Sequence, residues 1–87
     1  MTGKVRAIIV DDEPLARRGL ELRLRACEEI DIVAQCSNGR EAVEAVATHS
    51  PDLMFLDIEM PGIDGFEVLR RLRESDTVRV IDALAVH

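Results

Sequence analysis

The sequence predicts an α/β fold: a doubly wound parallel sheet with helices packed on its faces. Three observations predict it. Short apolar runs rich in β-branched residues alternate with helix-length segments whose apolar residues recur at helical spacing, in the order βαβαβα. Aromatic residues are only 2% of the 87, so the core must be Val, Leu, Ile and Ala, which suits helices laid on a buried parallel sheet. Two of the apolar runs end in aspartate, at Asp11-Asp12 and at Asp57. In such sheets ligands bind beyond the carboxyl ends of the strands.

The first strand is the run from Val5 to Val10, which stops abruptly at Asp11-Asp12-Glu13-Pro14. Pro14 suits the first position of a helix, where its missing N–H costs nothing. Taken singly, Asp11 or Asp12 reads as the cap of that helix. The helix runs from Leu15 to Cys27, with Ala16, Leu20, Leu24 and Cys27 at helical spacing. Gly19 inside it costs about 1 kcal/mol relative to Ala, so close packing is expected there. Asp31 to Gln35 is a second short strand, broken by Ser37-Asn38-Gly39. Asn38 caps the next helix, with Glu41 at capping-box spacing, and Ala42, Val43, Ala45 and Val46 form its apolar side. Ser50-Pro51 ends that helix. Asp52 to Asp57 is the third strand, and Met60-Pro61-Gly62 a loop. Asp64 and Glu67 cap a third helix with Phe66, Leu69 and Leu72 buried and Arg70, Arg71 and Arg73 in water. Val78 to Ile81 reads as the start of a fourth strand. The helical spacing of Val80, Ile81, Leu84 and Ala85 keeps a second reading open, with the strand preferred.

At this length the chain is one domain, residues 1–87, burying only about 60–65% of its unfolded surface. The formal charge of -6 repels phosphate backbones, and two phenylalanines make no stacking platform, so direct nucleic-acid binding is not expected. Cys27 and Cys36 are too few for a disulfide framework and read as small buried hydrophobes. The N-terminus runs straight into a strand pattern, so no signal peptide is expected. No apolar stretch approaches the ~18 residues that span a membrane. A reducing cytoplasm is the expected compartment. His49 and His87 have no partners at metal-ligand spacing.

The first and third strands are neighbours in a doubly wound sheet, so Asp11, Asp12 and Asp57 converge in one shallow pocket. Three carboxylates so close repel one another, and a hard divalent cation with oxygen ligands relieves that repulsion; Mg²⁺ keeps several waters in such sites. A carboxylate beside Mg²⁺ can attack phosphorus to give an acyl phosphate. The run from Asp57 to Gly62 superficially resembles an EF-hand loop, but Pro61 stands fifth, Val68 stands twelfth and no helix precedes it.

Ile8-Ile9-Val10-Asp11-Asp12-Glu13-Pro14, followed by the run from Pro51 through Asp57 to Gly65, resembles the receiver signature of two-component response regulators. Asn38-Gly39-Arg40-Glu41-Ala42 resembles the start of that family's second helix, and the likeness runs from Val5 to Arg73. The stretch from Asp11 to Arg17 further resembles receivers attached to LytTR-type DNA-binding domains. The resemblance implies a flavodoxin-like sheet of order 2-1-3-4-5, here expected as 2-1-3-4 without strand five and the last helices. It implies Asp57 as phosphoacceptor, Asp12 binding Mg²⁺ directly, Asp11 binding through water or as support, and the Glu59 backbone carbonyl completing the site. The Glu59 side chain falls where the family tunes dephosphorylation. It also implies a sensor histidine kinase as donor and a DNA-binding output domain elsewhere. The chain would be a signalling domain whose only chemistry is its own phosphorylation and dephosphorylation.

The family also carries Ser or Thr at the end of strand four and Lys after strand five. No hydroxyl follows Ile81, and Lys4 is the only lysine. Labelling is therefore expected to be poor and short of a full switch. A homodimer is expected, formed through the open sheet edge or by exchanged tails. The competing reading is a truncated receiver serving only as a dimerisation or interaction module. A metal-dependent hydrolase is disfavoured because no base, oxyanion donor set or substrate pocket is visible.

Overall fold

In the computed structural model, which describes residues 4–57, 70 and 78–83, four parallel strands form one sheet. They are β1 (Val5–Val10), β2 (Ile30–Cys36), β3 (Leu53–Leu56) and β4 (Arg79–Asp82), in the order β2-β1-β3-β4. This is the order expected from the sequence. Two full helices lie among the described residues, α1 (Pro14–Arg25) and α2 (Gly39–His49). The chain leaves β1 in one direction to form β2 and returns past it to form β3. That reversal opens a crevice above the carboxyl ends of β1 and β3.

Ala7, Ile8, Ile9 and Val10 have no exposed surface, because β1 is paired on both edges and covered on both faces. Successive strand residues point to opposite faces, so the run divides its side chains between two cores. Ile8 and Val10 pack with Met54, Leu56, Cys36 and the Ala42, Ala45 and Val46 side of α2. Ala7 and Ile9 pack with Leu20 and Leu24 of α1, Phe55 and Ala83.

The helix starts follow local chemistry. Pro14 occupies the first turn of α1, as the sequence predicts. The cap is Glu13 rather than Asp11 or Asp12; its carboxylate accepts the Leu15 N–H at 3.2 Å. Pro14 fixes the boundary, so the residue just before it takes the capping position. Asp11, two residues earlier, instead accepts the Glu13 N–H on Oδ1 at 2.9 Å. Asn38 caps α2, accepting the Glu41 N–H at 2.8 Å. Glu41 reaches back one residue further than a standard capping box, accepting from the Ser37 N–H at 2.8 Å and the Ser37 hydroxyl at 3.0 Å. Those hydrogen bonds hold its carboxyl below the usual glutamate range. Ser50 closes α2 in the left-handed region, φ 47°, and its N–H donates to the Val46 carbonyl at 3.0 Å. The charge of Glu21, on the covered side of α1, is paired with Arg25 at 2.8 Å and Arg18 at 3.1 Å.

Two sequence expectations are corrected. A Cβ built on Gly19 would meet nothing within 4 Å, so no close contact requires glycine there. Cys27 is exposed, because α1 ends at Arg25 and leaves it in the turn before β2; Cys36 is buried as expected. Burial, reinforced by the nearby Glu41 charge, pushes the Cys36 thiol up to about 11. The thiolate is the reactive form, so the two cysteines should separate cleanly. A thiol reagent at neutral pH is expected to modify Cys27 in the native protein and Cys36 only after denaturation. Two equivalents reacting at equal rates in native buffer would contradict the burial of Cys36.

The tail forms β4, so the strand reading holds for Arg79 to Asp82. Pairing with β3 supplies hydrogen-bond partners for its backbone. Of the expected third helix, Arg70 is helical and exposed. The Met60-Pro61-Gly62 loop, the cap residues Asp64 and Glu67, and Phe66, Leu69, Arg71, Leu72 and Arg73 lie outside the described residues, as do Leu84 and Ala85.

Candidate functional site

The backbone fixes the site before any side chain is considered. The parallel ladder continues one residue past β1 and β3. The Asp11 N–H donates to the Cys36 carbonyl at 3.0 Å, and the Asp57 N–H donates to the Val10 carbonyl at 3.0 Å. Asp11 and Asp57 thus stand side by side at the same edge of the sheet, with Asp12 next along the chain. Asp11 is buried, Asp12 exposed and Asp57 half-buried. One carboxylate oxygen from each of the three lies within 4.8 Å of the others. The structure brings together all three carboxylates that the sequence nominates; Glu59 lies outside the described residues.

The donor set is chemically selective. It consists of carboxylate oxygens alone, which suits a hard cation rather than zinc, whose sites favour His and Cys. The exposed side, at Asp12, leaves room for coordinated water, as Mg²⁺ requires. The three residues therefore fit a magnesium ion.

A cavity of about 330 Å³ opens from Asp11 and Asp57 along α1, lined also by Leu15, Ala16, Gly19, Arg23 and Ala83. Gly19 faces this space, which explains why a side chain there would touch nothing. The pairing of Leu56 with Asp82 leaves Ala83 level with Asp57 at the carboxyl end of β4. Ala83 therefore stands where the receiver resemblance implies a hydroxyl.

Sequence reasoning did not single out Arg17. Its Nη1 donates to the Asp11 backbone carbonyl at 2.7 Å. A signal was present: a cation one turn into a helix opposes the macrodipole, an unfavourable placement that calls for a compensating contact.

Residues 7–85 match the response regulator receiver domain family. The transcriptional regulatory protein BtsR of Salmonella typhi is 47% identical over 68 residues, 78% of this chain and 28% of that protein. The nitrate/nitrite response regulator protein NarL of Escherichia coli is 37% identical over 67 residues, 77% of this chain and 31% of that protein. The signal receiver domain of the response regulator NarL from Mycobacterium tuberculosis superposes with a TM-score of 0.81 at 36% identity, covering 88% of this chain and 63% of that one. The response regulator domain of Thermotoga maritima CheB superposes with a TM-score of 0.83 at 32% identity, covering 91% and 59%. The chain spans less than a third of the length of these curated relatives. They do not single out the LytTR-type class that the stretch from Asp11 to Arg17 resembles. On the family match, the sheet order and the sequence identities together, the chain belongs to the receiver domains of two-component response regulators.

Proposed function

We propose that this domain accepts a phosphoryl group on Asp57 from a sensor histidine kinase, with Mg²⁺ held by Asp11, Asp12, Asp57 and the Glu59 backbone carbonyl. The convergence of three carboxylates within 4.8 Å at the ends of β1 and β3 carries this reading. An Asp57 carboxylate oxygen attacks phosphorus, the phosphohistidine P–N bond breaks, and the leaving nitrogen keeps the electron pair. Mg²⁺ held by these residues would offset negative charge on the transferring group. Asp57 is held for attack by its own backbone bond to Val10. The product is an acyl phosphate, and water cleaves it, releasing inorganic phosphate and restoring the Asp57 carboxylate.

Ala83 offers no hydroxyl to the phosphoryl oxygens, and a hydrogen bond to a charged group contributes roughly 1.5–3 kcal/mol. Phosphorylation should therefore couple weakly to conformation. The output proposed for the full protein is a DNA-binding domain, in keeping with the regulators among its relatives; the Asp11 to Arg17 stretch favours the LytTR type. The cytoplasm is the proposed compartment, and no described helix is long and apolar enough to cross a membrane.

The test is incubation with acetyl phosphate and Mg²⁺ followed by intact-mass measurement. The expected result is slow, incomplete labelling at a single site per chain, dependent on Mg²⁺, with little spectral change. No labelling would leave the domain as an interaction module only.

Self-association belongs to the same proposal. β4 is an edge strand of the described sheet, and an edge offers backbone groups to a second copy. Sedimentation at micromolar concentration should give twice the 9.7 kDa chain mass. A well-folded species at the monomer mass overturns it.

A further inference from the structure

We infer that Arg17 is a positioning residue for the carboxylate pocket: its guanidinium fixes the peptide joining Asp11 to Asp12, and so sets the pocket's affinity for Mg²⁺. The inference rests on the reading of Asp11, Asp12 and Asp57 as a magnesium site.

The Asp11 N–H is bound to the Cys36 carbonyl, and Asp11 Oδ1 is bound to the Glu13 N–H. These contacts place the Cα and side chain of Asp11. The Asp11 carbonyl belongs to the next peptide unit, which is planar and turns as one body. Its rotation changes ψ of Asp11 and φ of Asp12, and so the direction of the exposed Asp12 carboxylate. Arg17 Nη1 donates to that carbonyl at 2.7 Å. A charge-assisted hydrogen bond at this length is among the strong ones.

Arg17 also sits on a stiff base. Its own N–H donates to the Glu13 carbonyl at 2.9 Å, within the first turn of α1. Its side chain is half-buried. The guanidinium charge reaches across to the end of β2 and the start of α2, where it opposes the upward shift of Cys36 and lowers Glu41. One cation thus ties the α1 start to the Asp11 backbone beside the β2–α2 turn.

Positioning and charge make opposite predictions, which is what makes the idea testable. A positive charge near the pocket repels a divalent cation, so by charge alone its removal tightens Mg²⁺ binding. If Arg17 acts by orienting the peptide, its removal loosens binding instead, and indirect partners of metal ligands commonly change affinity by about 10–100-fold.

The experiment compares Arg17→Met, Arg17→Lys and Arg17→Gln by Mg²⁺ titration, read from the backbone amide resonances of Asp11, Asp12 and Asp57, alongside thermal melts. The expected result is binding weakened about 10-fold in Arg17→Met and restored towards wild type in Arg17→Lys, which keeps a donor. Arg17→Gln keeps a donor without the charge and should bind at least as tightly as Arg17→Met; it also serves if Arg17→Met does not fold. Arg17→Met with a lower melting temperature but unchanged or tighter Mg²⁺ binding overturns the inference. If the wild-type protein shows no Mg²⁺ response, the magnesium reading fails by itself. In that case the metal-free spectra still decide the positioning role: the Asp12 amide should move in Arg17→Met and stay in place in Arg17→Lys, and an unmoved Asp12 amide overturns it.

Discussion

Asp57→Asn is expected to leave a folded protein that acetyl phosphate no longer labels. The carboxamide cannot supply the oxygen nucleophile, so the loss is complete rather than graded. The fold should survive, because the change is isosteric and lies just beyond the end of β3 rather than in either core. The backbone bond from residue 57 to the Val10 carbonyl does not involve the side chain. Magnesium binding should weaken as well, since two carboxylates remain where three stood within 4.8 Å. Asp52→Asn is the matched control. It lies at the opposite end of β3, where its carboxylate accepts the Arg6 N–H at 2.9 Å. It should label like the wild type. Magnesium-dependent labelling that persists in Asp57→Asn would place the acceptor elsewhere.

Ile8→Ala should cost about 2–5 kcal/mol of folding stability, from lost burial and the cavity left behind. Ile8 has no exposed surface and packs between β3 and the inner side of α2. Total stability for a domain of this length is about 4–13 kcal/mol, so one truncation can remove a large share of it. Leu15→Ala is the contrast: Leu15 is 80% exposed on α1 and should change stability by less than about 0.5 kcal/mol. Urea denaturation compares the two. An Ile8→Ala loss below about 1 kcal/mol would mean that the β1–α2 core is not closely packed.

Much of this molecule is written locally. Six consecutive residues with three of the four last being β-branched define β1, and Pro14 marks where α1 can begin. Asn38 and Glu41 announce the start of α2 three residues apart in the chain. The site itself was legible for a geometric reason. Parallel strands all end on the same edge of a sheet, so aspartates that end neighbouring strands must meet there. Asp11, Asp12 and Asp57 needed no more than the strand order to be placed together.

What only the tertiary structure decided depends on groups far apart in sequence. Helical spacing put Cys27 on the inner side of α1, but the helix ends two residues before it. Gly19 reads as a packing contact until the cavity beside it is seen, because glycine's cost in a helix suggests a compensating contact but does not show whether anything lies opposite. The tail pattern fitted strand and helix alike, and the pairing of Arg79 to Asp82 with β3 decided it. The same pairing made Ala83 the neighbour of Asp57, across 26 residues of chain (83 − 57). The role of Arg17 was hidden for a related reason: its contact is with a backbone carbonyl, and every residue has one. Residue type therefore determined which chemistry could gather at the sheet edge, and the folded register determined which atoms hold it there.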